Sequence, residues 1–412
     1  MWVDKKVVRP STMNLQKDTW GDIAVFLLIL QLPFLQILLP FEKGNFILVI
    51  GLIFWAYFKK VDLSIPNRLV ILFLFYIALC VAQGLYFGHF STMTLIYSFS
   101  YIFFAPYLLY RIYGLRAIFL FEKVIFIMTF ISLVIWIGHQ MSPAIKLLIL
   151  KGIEIVNNRN DTDIHRFMII YTYWPMLDTS YGISRNAGFS GEPATFCAFL
   201  ILGLAIHESK NGSQISKRSL IYILALITSL STTGYSAFIV YFLTYLIKTK
   251  DLLLRLIIFP LIAMVFLYVF SSLDFMENKI TQQYQEGTGV ELNSETSGRV
   301  LGIRKSIYVL FKYPFLGRGL QANTRPQDPK DAEYADYGFL SILSKYGLFF
   351  GGFFFILFLS GLIYFFRSVN VTPINYWIYI VAILVTLLAQ QGMYDIYFMI
   401  FFIMGWLRFN HH

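Results

Sequence analysis

Arginines and carboxylates beside glycine and proline are the residues of this sequence best suited to chemistry. Arg185 precedes Glu192, with Gly188 and Gly191 between them and Pro193 directly after. Pro193 suits the first turn of an α-helix, which would place Glu192 at or beside a helix N-terminus. Helix N-termini carry free N–H groups and a positive dipole end, and they bind anions. The pattern predicts an anion site, although a capping Glu192 neutralised by Arg185 would explain the same residues.

The segment around Arg299 is a second candidate anion site. Ser297 suits the cap of a helix over about 298–312, so Arg299 would lie in the first turn. A cation there opposes the helix dipole unless an anion binds between them, whereas a merely exposed arginine is the simpler alternative. The helix is expected to be amphipathic and to lie on the outer membrane surface. Its apolar stripe is Val300, Ile303, Ile307, Leu310 and Phe311, and the residues off the stripe are Arg304, Lys305 and Lys312.

More basic residues follow this helix. Pro314 and the paired glycines after it end the helix and permit close approach of the backbone. Arg304, Arg318 and Arg325 are further candidates for binding an anion. Lys345 lies about two turns inside the next apolar run, where a lysine either extends to the interface or, if it faces the bundle interior, is functional.

Carboxylate and hydroxyl groups complete the set of candidates. Asp336 and Tyr337 stand immediately before an apolar run. Asp336 and Glu192 could each accept the proton of a hydroxyl group as a general base. Thr232 belongs to the stretch Ser231-Thr232-Thr233-Gly234, which opens another apolar run, and helix capping alone would account for its hydroxyls.

The composition places these residues in a membrane protein. Of the 412 residues, 58% are hydrophobic and 14% are charged, and the mean hydropathy is +0.65. A soluble domain needs far more polar surface. The net charge is +10, and membrane proteins use Lys and Arg residues in their loops to set orientation. The basic residues are therefore assigned to individual loops, and no nucleic-acid partner is expected. Cys80 and Cys197 lie within apolar runs and show neither a disulfide pattern nor metal-ligand spacing.

The apolar runs predict an all-α polytopic membrane protein, with residues 1–412 forming a single integral membrane domain. A bilayer core is crossed by about 20 mostly apolar residues, and about twelve such helices fit the chain. The spans are expected near 22–40, 44–58, 68–87, 91–110, 121–138, 192–207, 217–231, 232–248, 252–272, 337–366, 374–391 and 393–409.

The distribution of positive charge predicts the orientation. With the N-terminus in the cytoplasm, most Lys and Arg residues fall in short inner segments, and the short outer loops hold only Lys43. Both termini are then inside. Two long loops fall outside, at about 139–191 and 273–336, and with Lys345 they carry the remaining basic residues. Long loops are exempt from the positive-inside rule, so an anionic ligand is the sharpest explanation of their charges and a solvated loop the simplest.

Four stretches in the last 230 or so residues resemble the O-antigen polymerase/ligase superfamily, whose members are similar to GT-C glycosyltransferases. The resemblance rests on the order and outer placement of the stretches, since none is specific alone. They are Arg185-x-x-Gly188-Phe189-Ser190-Gly191-Glu192-Pro193, Ser231-Thr232-Thr233-Gly234, Ser297-Gly298-Arg299 followed by Pro314-x-x-Gly317-x-Gly319, and Asp336-Tyr337-Gly338-Phe339-Leu340 followed by Tyr346-Gly347-x-x-x-Gly351.

The resemblance implies glycosyl transfer from an undecaprenyl diphosphate carrier, at the outer face of the bacterial inner membrane and without cofactor or metal. Arg185 and Arg299 match the family's two outer arginines and would hold the diphosphate, with Arg318 and Arg304 in support. Asp336, Glu192 and Arg299 would be catalytic. Tyr337, Arg325, Lys345 and Thr232 would be secondary. The implied partners are undecaprenyl-diphosphate-linked glycans, membrane lipid and a protein that regulates chain length.

One departure from the family separates the alternatives. Ligases carry His-Asn where this chain has Asp336-Tyr337, which favours a polymerase that makes O-antigen or a similar surface polysaccharide and leaves the general base open. An O-antigen ligase is the first alternative. A flippase for lipid-linked oligosaccharides is the second, but such transporters usually have two similar halves and charges within spans, and this chain shows no evident repeat.

Overall fold

The structure is a computed structural model, and it describes most of the chain. The described residues are 19–30, 41–88, 92–151, 153–156, 164–168, 171–173, 183–211, 216–248, 299–319, 338–388 and 396–408. Within these ranges the chain is mostly helical, with one small sheet.

The helices follow the apolar runs of the sequence. In chain order they are α1 (Trp20–Leu30), α2 (Phe41–Phe58), α3 (Asn67–Phe87), α4 (Thr92–Phe99), which continues through a π-helical turn (Ser100–Phe104) into α5 (Ala105–Tyr113), α6 (Arg116–Met141), α7 (Pro143–Leu150), α8 (Pro193–Asn211), α9 (Lys217–Thr228), α10 (Thr232–Lys248), α11 (Arg299–Lys312), α12 (Gly338–Ser368), α13 (Pro373–Leu388) and α14 (Ile396–Arg408).

Three of these helices are long and apolar enough to cross a membrane, namely α3, α6 and α12. On α3, Ile71, Leu74 and Leu85 point away from the rest of the protein and are exposed. Apolar side chains facing outward suit a lipid environment. The chain is thus a helical membrane protein. The predicted span at 252–272 lies outside the described residues, and the number of twelve spans and the orientation of both termini stay predictions.

Close helix packing forms the core. In α12, a Cβ atom at Gly361 would overlap the carbonyl oxygen of Phe401 in α14, and one at Gly405 would overlap that of Leu357. Small residues let two backbones approach in this way within membranes. Phe354 and Phe402 stack beside this contact, with ring centroids 4.5 Å apart.

The first predicted outer loop contains regular structure that the sequence analysis missed. After α7 come three short antiparallel strands, β1 (Ile153–Val156), β2 (Ile164–Met168) and β3 (Tyr171–Tyr173). The register pairs Ile153 with Phe167 and Phe167 with Thr172. An all-α description therefore omits a small sheet. Strands of three to five residues are too short to show the alternation by which strands are recognised in a sequence.

Candidate functional site

Arg185 lies in the irregular segment 183–187 that precedes α8, and it is only 5% exposed. Hydrogen bonds fix the residues on both sides of it. The Trp136 indole N–H donates to the carbonyl oxygen of Ser184 (2.7 Å). On the other side, the Asn186 backbone N–H donates to the carbonyl oxygen of Thr228 (3.0 Å), and the Asn186 side-chain amide donates to the Thr228 hydroxyl (3.0 Å). The backbone at Arg185 is therefore held in place on both sides.

A tight turn joins Arg185 to α8. Gly188 has a φ of +54°, and an added Cβ would collide with the Phe196 ring, so only glycine fits there. The Gly188 N–H donates to the Asn186 side-chain oxygen (3.0 Å), and its carbonyl accepts from the Thr172 N–H of β3 (2.7 Å). The unpredicted sheet thus anchors the first of the four stretches.

Glu192 is the last residue of this turn and directly precedes α8, at the helix N-terminus where the sequence predicted it. Its carbonyl oxygen accepts the first hydrogen bond of α8, from the Phe196 N–H (2.9 Å), and also a bond from the Ser190 hydroxyl (2.9 Å). The Glu192 side chain is partly exposed. A carboxylate at this position remains accessible to a substrate, and its role as a general base stays a prediction.

The second stretch lies beside the first. Ser231 caps α10, because its hydroxyl accepts from the Gly234 N–H (3.4 Å). Thr232, half-buried, is the first residue of α10, so the cap is supplied by Ser231. Gly234 is required by packing, since a Cβ there would collide with the Cys197 sulfur of α8.

Arg185 and Tyr235 connect these two stretches. The Tyr235 hydroxyl donates to the carbonyl oxygen of Ile227 (2.7 Å), and the Arg185 guanidinium is close enough to interact electrostatically with that phenol. Two motifs that are distant in the sequence are therefore neighbours in the fold.

The third and fourth stretches also contact each other. The turn 314–319 packs against a kink in α12 at Gly347, whose φ of 75° and ψ of 172° are not helical. The Arg318 N–H donates to the carbonyl oxygen of Ser344 (2.7 Å), and the Gly319 N–H donates to that of Lys345 (3.1 Å). The Arg318 side chain is 2% exposed and is among the largest fully buried side chains in the described ranges.

Gln83 supports the same contact and was not predicted. Its side-chain amide donates to the carbonyl oxygens of Leu316 and Lys345, the latter at 2.9 Å, and the residue is buried within α3. A polar amide inside an otherwise apolar run was the available signal, because a buried amide needs hydrogen-bond partners.

The orientation of α11 corrects the predicted role of its basic residues. Lys305 was placed off the apolar stripe with Arg304 and Lys312, yet Lys305 is only 3% exposed, whereas Arg304 and Lys312 are exposed. Ser306 and Val309 share its buried side, while Phe311 of the stripe is 80% exposed. In a membrane protein the apolar stripe can face lipid, so the polar side of the helix turns towards the protein. Lys305 is therefore a buried cation, although periodicity alone placed it off the apolar stripe.

Some candidates fall partly or wholly beyond the described structure. Asp336, Tyr337 and Arg325 lie outside the described residues. The backbone of Arg299 begins α11, as the sequence predicted, and its side chain is not among those described. Lys345 is half-buried beside the kink of α12.

A chain of contacts places Arg185 and Arg318 towards the same end of the helix bundle. Phe189, beside Arg185, contacts Phe199, which contacts Phe398 in the first turn of α14. Phe119 in the first turn of α6 contacts Phe365 near the end of α12 (5.8 Å between ring centroids), and the Lys210 ammonium near the end of α8 lies over the Phe119 ring, so α8 and α12 end together. Arg318 binds the backbone of Ser344, within the first two turns of α12. Both buried guanidinium groups therefore belong to one end of the protein.

The buried guanidinium groups suit an anionic ligand. Among the residues that the structure describes, no group of three or more His, Cys, Asp or Glu side chains could hold a metal. Buried guanidinium groups form short, charge-assisted hydrogen bonds with phosphate oxygens. Comparisons of the chain with protein-family models, with curated proteins and with solved structures find no match.

Proposed function

We propose that this protein polymerises lipid-linked oligosaccharide repeat units into a surface polysaccharide, O-antigen or a similar polymer. The glycan is transferred from undecaprenyl diphosphate at the outer face of the bacterial inner membrane. The observation that carries the proposal is the burial of Arg185 and Arg318, each fixed by its backbone neighbours, towards one end of a helical membrane protein. Burying a cation costs several kcal/mol, so arginines retained inside membrane proteins are usually functional.

In the proposed reaction, a sugar hydroxyl of one lipid-linked unit attacks the anomeric carbon of the glycan on another. A carbon–oxygen bond forms there while the bond from that carbon to the diphosphate oxygen breaks. The hydroxyl proton passes to a carboxylate, either Glu192 or Asp336, and negative charge develops on the departing diphosphate. Donors already in position stabilise this charge most effectively where water is excluded.

The basic residues would share this work. Arg185 and Arg318 lie in fixed positions and would bind the diphosphate, with Arg299 as a further ligand. Lys305 extends the set, because it is a cation on the buried side of α11, whose last turn leads into the turn that contains Arg318. Arg304, being exposed, suits initial attraction of the anionic substrate more than the reaction itself.

Product analysis with purified components tests the proposal. The protein, reconstituted with a purified undecaprenyl-diphosphate-linked repeat unit, is expected to yield a ladder of longer lipid-linked glycans. Transfer only after addition of lipid A core would instead identify a ligase. Movement of the substrate across liposomes without any lengthening would identify a flippase and would refute the enzyme.

A further inference from the structure

A basic cavity lies at the opposite end of the bundle from Arg185, and the proposed polymerase reaction does not use it. It has a volume of about 200 Å³ and opens between the start of α6, the end of α8 and the start of α9. Arg185 precedes the start of α8, and its neighbour Asn186 bonds Thr228 at the end of α9, so the two sites are at opposite ends of both helices. The charged residues lining the cavity are Arg116, Glu122, Lys123, Lys210 and Arg218.

The carboxylate in this cavity is already engaged. Glu122 accepts a hydrogen bond from the Tyr222 hydroxyl (3.3 Å) and lies 3.4 Å from the His207 ring nitrogen. Arg218 is 3.9 Å from its other oxygen. Four cations therefore line the cavity with a single carboxylate, which leaves an excess of positive charge.

Several of the cations are also held in position. The Lys210 ammonium lies over the Phe119 ring, 5.5 Å from its centroid, and the Arg218 guanidinium lies 4.8 Å from the centroid of Phe126. Arg116 lies 3.5 Å from the Asp22 carboxylate, which Lys59 contacts at 3.0 Å. Cations fixed by aromatic rings and ion pairs lose less freedom when they bind an anion.

The position of the cavity indicates which kind of anion is available to bind there. Arg116 is the first residue of α6, one of the three apolar helices long enough to span a membrane. The start of such a helix lies near the boundary between lipid and water, where phospholipid phosphates lie, and basic pockets between helices bind anionic head groups there. Cations that serve only to orient the chain would not need to line a common cavity or to be fixed in position.

We propose that this cavity binds a phosphate group, either the phosphodiester of an anionic phospholipid or a soluble phosphate ester. The cationic side chains would contact the phosphate oxygens, and Phe119 would contact apolar atoms beside the phosphate. Water occupies about 30 Å³ per molecule in the liquid, so the cavity has room for a phosphate group with a few waters.

Thermal unfolding of the full-length protein in neutral detergent tests this site without any activity assay. Dioleoylphosphatidylglycerol is titrated against dioleoylphosphatidylcholine, and glycerol 3-phosphate is titrated separately. The unfolding midpoint is expected to rise saturably with the anionic lipid and not with the zwitterionic one. An equal rise with glycerol 3-phosphate, without lipid, would identify a soluble phosphate ester as the source.

Variants locate the effect in the cavity. Each cation removed near a membrane surface should weaken apparent affinity about fivefold, so the double variant K123Q/K210Q should lose roughly 25-fold. If the double variant does not fold, Lys210→Gln alone is measured, with an expected loss of affinity of about fivefold. Arg111→Gln is the matched control, because Arg111 lies near the same end and pairs with Asp62 outside the cavity. A wild-type shift of the unfolding midpoint in the lysine variants, or no selectivity for either phosphate compound, overturns the proposal. Neither result affects the polymerase proposal, which is tested by product analysis.

Discussion

The side chain of Asn186 and the hydroxyl of Thr228 are joined by a 3.0 Å hydrogen bond that ties the Arg185 segment to the end of α9. The same Asn186 side chain also accepts from the Gly188 N–H (3.0 Å), so one residue holds both its neighbouring turn and a distant helix. The position of Arg185 therefore depends on residues that need not touch a substrate.

Asn186→Ala is expected to lower the free energy of unfolding by about 1–3 kcal/mol, because it removes two hydrogen bonds from a buried turn. The polymerisation rate should fall as well, since Arg185 loses its anchor. Denaturant unfolding and a single-turnover assay measure the two effects. Thr228→Val, which removes only one of these bonds, should be milder in both, and equal losses in the two variants would argue against the positioning role.

Gly347→Ala is expected to destabilise the protein strongly. The φ of 75° and ψ of 172° at this kink belong to a region that only glycine adopts readily, and an added Cβ would collide with the carbonyl oxygen of Phe315. Strain of this kind costs about 1–3 kcal/mol before the collision is counted. Gly352→Ala on the same helix is the control, because a Cβ there meets nothing within 4 Å. Similar unfolding midpoints for the two variants would show that the kink is unimportant.

Lys305→Met tests whether the buried cation of α11 takes part in catalysis. Methionine fills a similar volume without charge, so glycan transfer by the folded variant should slow by about tenfold or more. Lys312→Gln is the control, since Lys312 lies in the last turn of the same helix and is exposed. The measurement is the rate of glycan transfer at saturating substrate. A wild-type rate for Lys305→Met would argue against a part for Lys305 in catalysis.

Gln83→Leu should loosen the contact between the Arg318 turn and α12. The carbonyl oxygens of Leu316 and Lys345 would each lose a hydrogen bond within the membrane protein, where such bonds are worth about 0.6–1.7 kcal/mol. We expect a lower unfolding midpoint and faster hydrogen exchange in residues 314–319. Unchanged exchange in that turn would show that Gln83 does not secure it.

The sequence predicted the helices well because apolar runs of membrane length are a strong, local signal. It also placed Pro193 at the start of α8, with Glu192 just before it. The sheet at β1–β3 was missed, since its strands are too short for a pattern and depend on contacts with Trp136 and Gly188.

Side-chain burial was the harder part of the site to predict. Periodicity recognised two sides on α11 but could not tell which one faces the protein, so the burial of Lys305 was not predicted. The burial of Arg318 follows from its turn docking into the Gly347 kink, a contact between distant segments. Gln83 was overlooked because its partners are backbone carbonyls, which have no signature in the sequence.

In the proposed reaction, the buried Arg185 guanidinium stabilises a departing lipid diphosphate. The most direct measurement is the single-turnover rate of glycan transfer from a purified undecaprenyl-diphosphate-linked repeat, with wild type, Arg185→Gln and Arg367→Gln. Arg367 lies in the last turn of α12 and serves as the control. We expect a fall of about 100- to 1,000-fold for Arg185→Gln and a rate near wild type for Arg367→Gln. A folded Arg185→Gln protein that elongates glycans at the wild-type rate would contradict it.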